Sequence, residues 1–222
     1  MAKDHGARQQ KKVAKQKAKR SDKRTELSRR ASNDPTVRLQ RADKWPVVQS
    51  LIGANLWKEG IGYLAIARQE VGGQLVFGVY LVDVYCLGVK DAFWETGTLG
   101  DFKDIIGKMD KTQKMCPISP ACLAKIVTGA VEFALSFGFR PHPDFRHVAM
   151  LLEGIDPAAC SQELPFGRDG KPYYIQGPYE SFEKATAIMN RVREAGGHSL
   201  AVLSVPDWEE LDDIEDEDDD LA

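Results

Sequence analysis

Leu75-Val76-Phe77-Gly78-Val79-Tyr80-Leu81-Val82-Asp83-Val84-Tyr85 is apolar on both of its alternating faces, with Val76, Tyr80, Val82 and Val84 on one and Phe77, Val79 and Leu81 on the other. A strand without a polar face is buried on both sides, so this stretch predicts a central strand. Gly78 inside it predicts a bulge or the close approach of another backbone. Upstream, Ile61 to Gln69 (IGYLAIARQ) has the composition of a second strand, and Val71-Gly72-Gly73 supplies the residues of a hairpin turn between the two.

Outward from this hairpin the periodicity becomes helical. Trp45, Val47, Val48, Leu51 and Ile52 form an apolar stripe at helical spacing behind Asp43 as a cap, with Pro46 in the first turn, and predict a helix that Asn55 to Gly60 ends. Asp101 to Met109 is a short helix. Ser119-Pro120 opens a longer one, which Gly138 stops and in which Leu123, Ile126, Val127, Ala130, Val131 and Ala134 recur at helical spacing. Pro143 to Leu152 reads as a third helix with Phe145, Val148, Leu151 and Leu152 inward. Arg168-Asp169-Gly170-Lys171 is a turn before the strand Tyr173-Tyr174-Ile175, and a helix from Ser181 to Glu194 precedes a last strand over Ser199 to Val205. The order lacks regular β-α-β alternation. The expected class is therefore α+β, a small antiparallel sheet with a central hairpin packed against several helices.

The chain has 222 residues, of which 43% are hydrophobic, and its charge is unevenly placed. Residues 1–43 hold 14 Lys and Arg against 5 Asp and Glu, residues 207–222 hold 11 acids and no base, and residues 44–206 carry 16 bases against 17 acids. This divides the chain into a disordered basic arm (1–43), a globular domain (44–206) and a disordered acidic tail (207–222). The most apolar long stretch, Ile126 to Phe139, contains Glu132 and is shorter than the roughly 20 residues a bilayer requires, so no membrane partner is expected. Cys86, Cys116, Cys122 and Cys160 show no C-x-x-C spacing and read as reduced thiols. With no apolar stretch after Met1, they point to a cytoplasmic protein.

The densest chemistry lies where the central strand leaves the core. Asp83, Cys86, Lys90 and Asp91 gather within nine residues and are the candidate catalytic positions. Asp83 shares its face with Phe77, Val79 and Leu81, an apolar setting that raises a carboxyl pKa, and it also has the ordinary role of accepting loop amides. Lys90 and Asp91 suit a helix cap or an exposed pair. Cys86 suits a nucleophile only beside a histidine, and His142, His147 and His198 are the histidines of the folded segment. Asp144 reads as a cap, because His142 and His147 are five apart and lie on different helix faces. Phe166 to Pro172 and Ile175 to Tyr179 form a glycine-rich, basic and aromatic stretch that suits either two tight turns or a phosphate grip. No metal or cofactor motif is present, and the cofactor is unassigned.

The blocks GVYLVDVYCLGVKDAF (Gly78 to Phe93) and FGRDGKPYYIQGPYE (Phe166 to Glu180) resemble those of an uncharacterised bacterial protein family. The resemblance implies that both blocks belong to one domain, spanning Trp45 to Glu194, and carries no role to any residue.

Three functional readings follow. The first is a non-enzymatic accessory protein that contacts RNA or DNA through its arm, with Lys11, Lys12, Lys15, Lys17, Lys19 and Arg20 on phosphates. The arm lacks aromatic residues for base stacking, so its contacts would be weakly selective in sequence. The acidic tail, with Trp208, Leu211 and Ile214 spaced by three, suits mimicry of a nucleic acid, docking of a basic protein partner or shielding of the arm. The second reading is a metal-dependent hydrolase or nuclease using Asp83, Asp91 and one or more of Asp144, Glu153 and Asp169 around a divalent ion. The third is a protein-interaction module without a ligand.

Overall fold

A computed structural model describes residues 34–200 apart from Tyr179. The arm through residue 33, with the six basic residues named above, lies outside the described residues, as do the acidic tail and the expected last strand beyond Leu200.

The Asp34 carboxylate accepts the Thr36 amide at 2.8 Å and opens helix α1, Pro35–Leu39. A 3-10 turn, Ala42–Lys44, follows. Leu39 and Ala42 are fully enclosed in the core, so residues 34–43, assigned by charge to the arm, pack as part of the domain.

The stripe at Trp45 to Ile52 is not a helix. Val47–Gly53 is strand β1, paired with neighbours on both sides, and it sends Leu51 to one face of the sheet and Ile52 to the other. Apolar residues on both faces of a strand mimic a broad helical stripe, and the β-branched Val47, Val48 and Ile52 favour the extended form. Helix α2, Leu56–Glu59, leads into β2, Ile61–Gln69, and β3, Leu75–Asp83. These two strands form the expected hairpin, in register from Ile61 opposite Asp83 to Gln69 opposite Leu75.

The chain turns at once after Asp83 and returns as β4, Gly88–Gly97. Lys90 and Asp91 therefore lie on a strand and not at a helix cap. Their charges, with Glu95, are tolerated because β4 is the edge of the sheet. Helix α3, Leu99–Asp110, carries a capping box between Thr98 and Asp101. Strand β5, Met115–Pro117, completes a five-stranded sheet of order β4-β3-β2-β1-β5 in which every pairing is antiparallel.

Helix α4, Pro120–Ser136, starts at Ser119, whose hydroxyl accepts the Cys122 amide. The third expected helix is shorter than its pattern. Only Phe145–Val148 (α5) is α-helical, Ala149–Leu152 continues as 3-10, and the Asp144 side chain makes no capping bond. Tyr173–Ile175 (β6) and His198–Leu200 (β7) pair in parallel, bridged by α6, Phe182–Glu194, which Ser181 caps.

The sheet is covered on both sides, as the two apolar sets of β3 require. Val76, Tyr80 and Val82 pack against Leu123, Ile126 and Val127 of α4. Phe77 and Val79 pack against Phe102 of α3, with the Phe77 and Phe102 rings edge to face at 5.3 Å. Gly78 admits side chains and not a backbone, since a Cβ there would lie 2.4 Å from Val148 Cγ1 and 2.6 Å from Leu151 Cδ1. The register shift between β3 and β4 falls instead at Leu81 and Val82.

Two of the four cysteines are joined. Cys122 in the first turn of α4 is bonded to Cys160, while Cys86 and Cys116 are free. This corrects the reading of four reduced thiols. The pair is separated by 38 residues without a spacing motif, so only the docking of the 153–164 loop on α4 reveals it. Among the described residues no helix is long and apolar enough to cross a membrane.

Candidate functional site at the end of the central hairpin

Asp83 ends β3 at the point where the chain must reverse, and its carboxylate organises the reversal. Oδ1 accepts the amides of Tyr85 and Cys86, each at 2.9 Å. Asp83 retains only 8% of its surface, and that surface belongs to the wall of a cavity of about 210 Å³. Burial pushes its pKa up to about 6, against the pull of the Cys86 amide, the Lys90 charge and the amides of Leu87 and Tyr85.

Lys90, across the turn on β4, lines the same cavity and is held by Glu180, with Nζ 2.9 Å from Oε1. Burial alone would raise the Glu180 pKa. The Tyr174 hydroxyl, Lys90 and the Gly177 amide, all donating to this carboxylate, override it and hold the pKa below the ordinary value. Glu180 was not singled out from sequence, because nothing local in GPYE signals a partner 90 residues away.

The two blocks quoted above meet here. Tyr85 comes from the first and Tyr173, Ile175, Gln176, Gly177 and Pro178 from the second, with Glu59 and Ile61 closing the wall. The Tyr85 and Tyr173 rings stand edge to face, 6.2 Å apart. The Arg168 guanidinium stacks on Tyr173 at 3.9 Å, delivered by a two-residue turn in which Asp169 and Gly170 both have positive φ. Of the two readings of this segment, tight turns or a phosphate grip, the turn at Arg168 to Lys171 is present, and the Gly177 amide, a donor a grip would use, is spent on Glu180.

The other candidates separate. Cys86 is fully buried, and burial followed by the Asp83 charge pushes its thiol well above the ordinary value, opposite to the need of a nucleophile. Asp91 points away from the cavity into a groove with Tyr63, Phe93 and Ile105, and lies 3.9 Å from His142 Nδ1. The Glu153 backbone carbonyl serves Arg68, and Asp169 sits in the turn. Among the described residues no group of three or more His, Cys, Asp or Glu is placed to hold a metal ion, so the carboxylates named for a divalent centre are not gathered.

No protein-family model matches the chain, the two quoted blocks included, and no match was found among curated proteins or solved structures.

The raised Asp83 pKa has a consequence for stability. The folded value of about 6 exceeds the unfolded one of 3.8, so the fold disfavours the ionised form, and stability should fall as pH rises from 4 to 6 and then level off. The ionised state costs about 3 kcal/mol at most on this basis. Asp83→Asn keeps the Oδ1 acceptor without the charge. It should be about 1–3 kcal/mol more stable than the parent at pH 7.5 and nearly equal to it at pH 4, as read from urea midpoints. A variant less stable than the parent at pH 7.5 would show that the ionised carboxylate is needed by the fold.

Proposed function

We propose that the chain is an accessory protein that contacts RNA or DNA through its basic arm, with Lys11, Lys12, Lys15, Lys17, Lys19 and Arg20 neutralising phosphates. The observation that carries this reading is the segregation of charge, with twelve Lys and Arg in residues 1–30 ahead of a middle segment that holds 16 bases against 17 acids. Each neutralised phosphate releases counterions, so affinity should fall steeply with salt and show little preference among sequences.

The test is fluorescence polarisation with labelled single-stranded RNA and duplex DNA over a salt series. Because Leu39 and Ala42 belong to the core, the truncation should stop at residue 33. Loss of residues 1–33 should weaken binding at least tenfold and flatten the dependence of log affinity on log salt. Unchanged affinity and slope in the shortened chain would refute the proposal.

A further inference from the structure

The polar groups around the Asp83 cavity are unequal in sign. Glu59 and Asp83 stand in its wall, Glu180 stands behind Gly177 and Lys90, and the ammonium of Lys90 is already committed to Glu180. Arg168 brings a second positive charge, but onto a ring that lines the cavity and not into the lining itself. Three carboxylates thus face one ammonium and one guanidinium. Of the turn amides that act on Asp83, those of Tyr85 and Cys86 both fall on Oδ1, which leaves Oδ2 the freer oxygen. Glu59 is more fully engaged, by Asn55 at 2.9 Å and by Gln113 at 3.4 Å.

The rest of the wall is mostly apolar or aromatic, from Ile61, Tyr85, Tyr173, Ile175 and Pro178, with Gln176 as its one further polar side chain. At about 210 Å³ the space is smaller than the roughly 300–1,000 Å³ typical of drug-sized ligands. It suits a short chain with one polar end. An anion would have to share the Lys90 ammonium with Glu180 and sit beside the Asp83 and Glu59 carboxylates, and the Gly177 amide already serves Glu180. A cation finds a recessed carboxylate and two tyrosine rings of the kind that Arg168 already engages, at 5.3 Å from Tyr85 and 3.9 Å from Tyr173.

We propose that this cavity is a binding site for an alkylammonium group, a primary amine on an unbranched apolar stem, with the ammonium on Asp83 and the stem against Tyr85, Tyr173 and Ile175. Two sources carry this chemistry: a free amine, and a lysine side chain of the chain's own arm. The site is independent of the nucleic-acid proposal, which concerns residues outside the cavity.

The experiment titrates n-pentylamine, with n-pentanol and pentanoate as neutral and anionic counterparts, into the full chain and into the chain lacking residues 1–33. It runs at pH 7.5 and is read by amide chemical-shift changes at Gly60, Tyr85 and Gly177. Saturable shifts with pentylamine alone in the full chain support a free amine as occupant. Saturable shifts that appear, or strengthen at least fivefold, only without the arm support an arm lysine as occupant. Asp83→Asn should weaken pentylamine binding at least tenfold, and Glu59→Gln, which touches neither the turn nor Lys90, should weaken it by a smaller factor. The proposal is overturned if neither chain binds pentylamine, if pentanoate or pentanol binds as well, or if folded Asp83→Asn binds it unchanged.

Discussion

Arg68→Met should cost about 2–4 kcal/mol of folding stability, because the guanidinium it removes donates to four backbone carbonyls, one in a buried hydrogen bond and three in part-buried ones. Arg68 lies on β2 and keeps only 4% of its surface. Its Nε donates to Leu151 O at 2.9 Å, Nη1 to Asp43 O at 3.2 Å and Trp45 O at 2.8 Å, and Nη2 to Glu153 O at 2.5 Å. These carbonyls sit in or just beyond the 3-10 segments Ala42–Lys44 and Ala149–Leu152, where helical geometry leaves acceptors without partners. One side chain thus ties two distant chain reversals to the sheet. The abandoned buried acceptor at Leu151 costs about 1–3 kcal/mol and each part-buried one less, because water reaches it, against a typical domain stability of only about 5–15 kcal/mol. Arg68→Lys tests the geometry, since a single ammonium cannot reach a fork of four acceptors, and it should recover less than half of the loss. Urea unfolding followed by circular dichroism reads both variants. A loss below 1 kcal/mol for Arg68→Met would mean that water replaces the guanidinium at these carbonyls.

Opening the Cys122–Cys160 bond should cost a similar amount, by a different route. The bond closes a loop of 38 residues, and the chain-entropy relation assigns such a loop about 4 kcal/mol, chiefly from restricting the unfolded chain. The folded loop has a second anchor. Lys125 Nζ donates to the carbonyls of Cys160 and Gln162 at 2.9 and 2.7 Å, so the native arrangement should survive reduction. A Cys122→Ala/Cys160→Ala chain is therefore expected to keep its native spectrum while losing about 3–4 kcal/mol in urea. Thiol titration of the parent, denatured without reductant, should return two thiols. Four thiols would show that the protein is isolated with the bond open, as a reducing cytoplasm would leave it.

Segments whose burial matches their own pattern were legible from sequence. The β2–β3 hairpin was readable because both faces of β3 meet helices, and α4 and α6 because Ser119 and Ser181 perform the capping that their positions announce. β1 was misread because Leu51 and Ile52, on opposite faces of one strand, look like neighbours on a helix. β4 was passed over because an edge strand with Lys90, Asp91 and Glu95 has the composition of a loop. Asp83 and Lys90 were singled out by their closeness to the end of a buried strand, and both line the cavity. Glu180, Tyr174 and the disulfide were invisible, since each depends on a partner that only the folded chain supplies.

The parallel pairing of β6 with β7 also fixes where the acidic end of the chain is tethered. Gln176 donates its amide to Leu200 O at 3.1 Å, so the last described residue is fastened beside the segment that forms one side of the cavity mouth. Asp207 follows seven residues later, and a chain that extends at most about 3.6 Å per residue keeps it within about 25 Å of that anchor. The first of the eleven acids is held to that radius, and each later one to a limit that grows by at most about 3.6 Å per residue. An acidic segment on such a leash should raise the local concentration of cations at the mouth at low ionic strength and lose that effect as salt rises.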